Sequence, residues 1–373
     1  MGSNIVSKQT KKILFLTNIP SPYRVDFFNE FGKSCDLTVA FQSPSFAHRH
    51  ASWENFEATA FHPLFLTPSF RFKKHVLCWD VLDVLKQPWD AIIMGGYSSL
   101  TDMLAIEYMR LRKIPFYFEA DGGLIRQDNK LKFWFKRHFL SAPSGWLSSG
   151  KETTKYLAHY GVNPVKIIEY PFTSLHAVDI LSQIPAEEHK QKLRQVLNIK
   201  EEKVLISVGQ FIYRKGYDVL FKTVAKLPKD IGVYIIGDEP TEEFIRWKQE
   251  KNSTQVHFIG FQLKDELKKW YQAADAFVLP TREDVWGLVI NEAMAQGLPI
   301  ITTDKCVAGL ELVQEGENGY IVPAEDVTEL TGAIARLFAQ DYRAMGQKSL
   351  ELIRPYTIEN MAKRHLEVFY GNI

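Results

Sequence analysis

Cysteine is scarce in this chain, and neither sign of charge prevails. Its 373 residues include three cysteines, Cys35, Cys78 and Cys306, odd in number, far apart and without a Cys-x-x-Cys pair. That excludes a disulfide framework, gives no zinc-site spacing and fits a reducing compartment. Lysine and arginine number 45 against 44 aspartates and glutamates, a formal net charge of +1, so the basic surface of a general nucleic-acid binder is missing. No apolar run approaches the length of a membrane span. Residues 1–10 have no apolar core that would serve secretion, and Val6 stands where a myristoylation signal needs Ser or Thr. The expectation is a cytoplasmic protein, neither secreted nor integral to a membrane.

What is present is a long alternation of β and α patterns. The length exceeds what one core organises, so two domains are expected. Apolar runs at 11–17, 36–41, 91–94, 115–118 and 145–148 read as buried strands, with helical stretches at 75–86, 98–112, 129–140 and 151–160 between or after them. A second series of strands begins at 204–208 and continues at 233–236, 256–259, 276–279 and 300–302. Such alternation predicts two doubly wound parallel sheets of Rossmann type. The polar, charged stretch around Pro185 reads as the connection. The expected boundaries are a first domain over 1–180, a linker over 181–198, a second domain over 199–355 and a last helix over 356–373.

The most informative segment is 274–303. Apolar runs closed by Pro280 and containing Pro299 flank a helical stretch that Gly297 ends. A helix N-terminus thereby stands at the carboxyl edge of a parallel strand, where open α/β sheets bind phosphorylated ligands. Asp284 lies just before the Trp286-Gly287 pair that opens the helix. Glu292 sits two turns in among Val289, Ile290, Ala293 and Met294, and a carboxylate in apolar company needs donors; the paired hydroxyls of a ribose would supply two. The plainer alternative has Glu292 facing solvent and Asp284 capping the helix.

The run Asp284-Val-Trp-Gly-Leu-Val-Ile-Asn-Glu292-Ala-Met-Ala-Gln-Gly297 resembles the donor-binding signature of glycosyltransferase family 4, the retaining GT-B enzymes. The resemblance covers nearly all of 203–340 and is looser before that. It implies two Rossmann-like doubly wound domains facing across a cleft, with the last helix crossing back to the first domain. It also implies that Asp284 lies near the sugar hydroxyls, that Glu292 binds the ribose, and that Val285, Trp286, Gly287 and Leu288 line the donor site. Asp284 replaces the family's more usual Glu.

In Gly209-Gln-Phe-Ile-Tyr-Arg-Lys-Gly216, Lys215 matches the family's lysine, while Gln210 stands where an arginine is expected and Arg214 is adjacent to the lysine instead. Arg214 and Lys215 would neutralise a diphosphate and the charge growing on it as the sugar leaves. Phe261 and Gln262 match the nucleobase loop, with a core role as the alternative for Phe261. On the acceptor side the matching residues are Tyr23 and Arg24, in a loop with Pro20 and Pro22 instead of a Gly-Gly pair, and Glu119 and Asp121, in a loop without the family's histidine. Asp121 is the catalytic candidate of that loop. Glu119-x-Asp121 would also read as a metal site, but the family needs no divalent ion, and no Asp-x-Asp occurs. No metal or other cofactor is expected.

The implied function is transfer of a hexosyl-type sugar from an NDP-sugar to a hydroxyl of a glycan or lipid-linked glycan, in surface polysaccharide or glycoconjugate synthesis. Alternatives are a GT-B epimerase or phosphorylase, or an inactive nucleotide-sugar binding protein. Residues 126–139 interleave Lys130, Lys132, Lys136 and Arg137 with Leu131, Phe133, Trp134, Phe135 and Phe139. An anionic membrane surface is therefore a candidate partner, giving a peripheral location on the inner face. Leu131, Phe135 and Phe139 are expected on the core face, and the alternative has Trp134 covered by the last helix. The stretch 70–74 adds a second basic-aromatic patch.

Overall fold

The computed structural model describes residues 10–43, 56–72, 75–250 and 253–371. Two compact units emerge, Met1–Ser174 with Thr357–Ile373, and Leu175–Tyr356.

In the first unit the strands are β1 (Lys12–Thr17), β2 (Asp36–Phe41), β3 (His62–Phe65), β4 (Phe70–Phe72), β5 (His75–Leu77), β6 (Ala91–Met94), β7 (Tyr117–Ala120), β8 (Gly145–Ser148) and β9 (Ile167–Glu169). The helices are α1 (Pro22–Gly32), α2 (Val81–Leu85), α3 (Leu100–Arg112), α4 (Lys130–Leu140) and α5 (Lys151–His159). A seven-stranded sheet runs β3-β2-β1-β6-β7-β8-β9, parallel throughout. Five of the six β1 residues are buried, as a strand covered by helices on both faces requires. Strand order reverses between β1 and β6, which opens a crevice at their carboxyl ends.

One helical expectation fails here. Residues 75–77, expected to begin a helix, instead pair antiparallel with β4, and α2 starts only at Val81. Thr101 fixes the extended backbone: its hydroxyl accepts from the Cys78 amide at 3.0 Å and donates to the Val76 carbonyl at 3.0 Å. A residue 25 positions further on decides the conformation, and no local pattern records it.

The second unit contains α6 (Glu187–Val196), β10 (Lys203–Val208), α7 (Tyr217–Val224), β11 (Ile231–Ile236), α8 (Glu242–Glu250), β12 (Val256–Ile259), α9 (Lys264–Ala273), β13 (Ala276–Leu279), α10 (Leu288–Ala295), β14 (Ile300–Thr303), α11 (Val307–Leu312), β15 (Gly319–Val322), α12 (Val327–Phe338) and α13 (Tyr342–Ile353). The six-stranded sheet runs β12-β11-β10-β13-β14-β15, again parallel. Its reversal falls between β10 and β13.

Residues 181–198, read as a linker, are part of this unit. On α6, Lys190 and Arg194 lie one turn apart and reach Asp275 at 2.8 and 2.6 Å, and Asp275 also accepts from the Val204 amide at 2.8 Å. All three side chains are buried. The charges that suggested a solvated connection are the helix's attachment to the starts of β10 and β13.

The chain returns to the first unit in α14 (Ile358–Tyr370). Thr357 caps it by accepting from the Asn360 amide at 3.2 Å, and it packs against α1. His365 points from it into the first core, with ring centroids 4.8 Å from Phe27 and 4.7 Å from Tyr170.

Candidate functional site

In the second unit the loops leaving β10 and β13 meet at the reversal point. The first carries Gly209 to Gly216 and the second Thr281 to Gly287. Gly216 has φ +71, and a Cβ there would come within 2.0 Å of the Pro280 carbonyl oxygen, so only glycine lets the loops approach. Thr281 Oγ1 donates to the Arg214 carbonyl at 2.9 Å, and the Arg282 amide donates to the same oxygen at 2.8 Å. The Arg282 guanidinium binds both Asp218 oxygens at 2.8 Å and lies 3.8 Å over the Tyr213 ring. Sequence reasoning missed Arg282, which acts here as the clamp on both loops.

Within that frame Asp284 Oδ2 lies 2.6 Å from Lys215 Nζ and Oδ1 lies 3.1 Å from Arg214. Arg214 also donates to the Glu283 carbonyl at 2.7 Å. Lys215 is buried and Arg214 is exposed at its tip, so the two cations differ in freedom. Gln210, at the position expected for arginine, reaches Asp238 at 3.5 Å. Arg214, Lys215 and Asp284 thus form one cluster.

The rest of the donor signature divides. Gly287, at φ +104, precedes α10, and Val285 is exposed beside it while Leu288 is half-buried. Trp286, expected to line the site, is buried, and its indole N–H donates to Asn291 Oδ1 at 2.9 Å. It is a core residue that anchors the loop to the helix behind it. Glu292 is half-buried on α10, and Tyr271 of α9 donates to its Oε2 at 3.2 Å. Neither solvent nor a ligand is therefore needed to give that carboxylate a donor, and Tyr271 had no local signal. Phe261 is 43% exposed beyond the end of β12, so the alternative of a core role fails. Gln262 follows, its amide 3.3 Å from the Gly260 carbonyl.

In the first unit Arg24 joins two carboxylates at the end of β7: Glu119, expected in the loop, lies within the strand, and Asp121 follows it. One guanidinium nitrogen reaches Glu119 at 2.5 Å and another reaches Asp121 at 3.1 Å. Glu119, expected on the acceptor side, is buried, and also accepts from Tyr170 at 3.0 Å and faces His365 at 3.2 Å. The Glu-x-Asp pair is spanned by a guanidinium, and Glu119 is a structural acceptor in this network. Asp121 is its half-exposed end, and Tyr23 packs edge-on against Phe172 with centroids 5.9 Å apart. Burial works to raise the Glu119 pKa, but the Arg24 charge and His365 beside it hold it at about 2.

Helix α4 differs from its expected facing. Leu131, expected in the core, is 77% exposed, and Trp134 is 60% exposed. Trp134 is not covered by α14; it stacks on His138 at 5.2 Å. Phe133 turns inward beside Phe135 and the buried Phe139, and packs on Tyr160 at 5.3 Å. Lys132 and Lys136 pair with Asp128 at 3.0 and 2.7 Å. Lys73 and Lys74 of the second basic patch lie outside the described residues.

Two parallel α/β units, the second with a cation-rich carboxyl edge, define the GT-B class. Residues 189–351 match the family Glycosyl transferases group 1. That segment is less than half of the chain and falls within the second unit, so the likeness to the group 1 glycosyltransferases is one of that unit. LpsE of Rhizobium meliloti, a lipopolysaccharide core biosynthesis glycosyltransferase, is 32% identical over 142 residues, 37% of this chain and 40% of that protein. The D-inositol 3-phosphate glycosyltransferase of Corynebacterium diphtheriae is 27% identical over 241 residues, 61% of this chain and 55% of that protein. The match thus spans about half the length of these relatives. Among solved structures, Anabaena HepE in complex with UDP superposes with a TM-score of 0.77 at 15% identity, over 96% of this chain and 99% of that one. WaaG, a glycosyltransferase involved in lipopolysaccharide biosynthesis, gives 0.68 at 16% identity, over 96% and 100%. At such identities the likeness is one of fold.

The Glu119 network has an acid signature. Its folded pKa of about 2 lies below the unfolded value of roughly 4.3, so its contribution is complete above the unfolded value and is lost as pH falls toward 2. Glu119→Gln, which leaves Arg24 buried without its main counter-charge, is expected to cost about 3–5 kcal/mol at pH 7. It should also flatten the loss of stability between pH 5 and about 2. Urea unfolding at several pH values checks both; a variant as stable and as acid-sensitive as the wild type contradicts the assignment.

Proposed function

We propose that this protein is a retaining glycosyltransferase that moves a hexosyl-type sugar from an NDP-sugar to a hydroxyl of a glycan or lipid-linked glycan acceptor, in surface polysaccharide or glycoconjugate synthesis. The observation that carries the reading is the Arg214–Lys215–Asp284 cluster at the β10/β13 reversal point, with Glu292 on the helix that follows. Lys215 and Arg214 would hold the diphosphate and stabilise the charge that develops as the anomeric carbon–oxygen bond to phosphate breaks. The acceptor hydroxyl oxygen bonds to that carbon on the face the phosphate leaves, its proton passes to the departing phosphate oxygen, and nucleoside diphosphate is released. Asp284 would take sugar hydroxyls, Glu292 the ribose, and exposed Phe261 the base. The proposal needs no divalent ion, because two protein cations answer the phosphate charge. HepE, solved with UDP and with UDP-glucose, supports a nucleotide-sugar donor.

The second part of the proposal is a peripheral membrane location at the cytoplasmic face. Leu131 and Trp134 are exposed on α4 between the exposed cations Lys130 and Arg137, a combination suited to an anionic interface. Lys132 and Lys136 already answer Asp128, so Lys130 and Arg137 are the charges to test. No helix among the described residues is long and apolar enough to cross a membrane.

Incubation with candidate NDP-sugars and acceptors should release nucleoside diphosphate only when acceptor is present, and proton NMR should find the donor's anomeric configuration kept in the product. Lys215→Met should lower kcat by about 100-fold or more. Inversion, or release that ignores acceptor and Lys215 alike, would defeat the reading. For the membrane, sedimentation should find binding to anionic but not neutral liposomes, weakened by salt and by Trp134→Ala with Lys130→Glu and Arg137→Glu. Equal failure with both lipids makes the acceptor a soluble one.

A further inference from the structure

A carboxylate that must meet two adjacent hydroxyls needs a fixed orientation, and a glutamate has three side-chain torsions to fix. Around Glu292 the helix neighbours Ile290, Ala293 and Met294 are fully buried hydrophobic residues, which pack without offering a hydrogen bond. A donor comes from another element. Tyr271, on α9, is almost wholly buried, with its ring 6.1 Å from that of Phe277 on β13. Its hydroxyl reaches Glu292 Oε2 at 3.2 Å. The tyrosine thus links a helix and a strand of the core to the carboxylate of α10.

We propose that Tyr271 is a positioning residue of the donor site, whose hydroxyl orients the Glu292 carboxylate to accept the two ribose hydroxyls of a ribonucleotide donor. This rests on the reading of Glu292 given above. The direction of the bond is fixed, since burial and then the Glu292 charge hold the Tyr271 pKa well above its ordinary value, and a protonated phenol beside a carboxylate donates. The Tyr271 hydroxyl takes one of the about four hydrogen bonds that an ionised carboxylate accepts. The expected consequence is selective: Tyr271 supports affinity for ribose and for no other part of the ligand.

Tyr271→Phe keeps the buried ring and removes the hydroxyl, so the packing on Phe277 remains. Calorimetry would use whichever of UDP, GDP and ADP binds the wild type most tightly, together with its 2′,3′-dideoxy counterpart. Tyr271→Phe should weaken the ribonucleotide about five-fold, the effect of one hydrogen bond. It should leave the dideoxynucleotide within about two-fold, and add less than about two-fold on a Glu292→Ala background. Equal weakening of both ligands, no weakening of the ribonucleotide, or a full loss on the Glu292→Ala background would overturn the proposal while leaving the donor site in place. Ribonucleotide affinity unchanged by Glu292→Ala would instead remove Glu292 from the site, and Tyr271's role with it.

Discussion

One carboxylate held between two cations is the interaction on which the second unit's edge depends. Lys215 and Arg214 are adjacent in sequence, and two like charges held side by side repel. Asp284, at 2.6 Å from one and 3.1 Å from the other, turns that repulsion into cohesion between the loops after β10 and β13. The cluster keeps one positive charge in excess, two cations against one carboxylate. The loops can come together because Gly216 has no side chain to meet Pro280, and they stay together because Arg282, on the loop after β13, binds Asp218 at the start of α7 and stacks on Tyr213 of the loop after β10. An anion arriving there meets charges already in place, with little reorganisation left to do.

The first unit uses the inverse arrangement. A buried guanidinium, Arg24, stands between Glu119 and Asp121, and the deeper carboxylate also answers Tyr170 and His365. A buried ion pair is stable only when its remaining lone pairs are satisfied, and Glu119 receives partners from α1, from the residue after β9 and from α14. The last helix of the chain is therefore part of what keeps Arg24 fixed. Asp121, at the half-exposed end, is the group of this network that has access to solvent.

Much of this was legible in the sequence because it is local. Buried parallel strands demand continuous apolar runs, so β1, β10 and β13 announce themselves, and the segment 274–303 holds strand end, loop, helix start and helix stop in one stretch. The edge strand β3, exposed along its whole length, and the short β5 carry no such run and were missed. A second group of failures is pairings between distant residues. Arg194 with Asp275, His365 with Glu119 and Tyr271 with Glu292 are separated by 81, 246 and 21 positions, and charge or aromaticity at one position does not name its partner at another. Trp286 was misread for a related reason: an aromatic beside a binding loop serves ligand and core equally well in sequence, and here the indole is buried with its N–H donating to Asn291 Oδ1.

The account's central claim is that the Arg214–Lys215–Asp284 cluster receives the diphosphate of a nucleotide donor. The most direct test is a crystal structure of the full chain grown with UDP, GDP or ADP. The account predicts phosphate oxygens within hydrogen-bond distance of Lys215 Nζ and the Arg214 guanidinium, about 2.7–3.2 Å, with the ribose at Glu292. A nucleotide bound elsewhere, with the Lys215–Asp284 pair untouched, would contradict it.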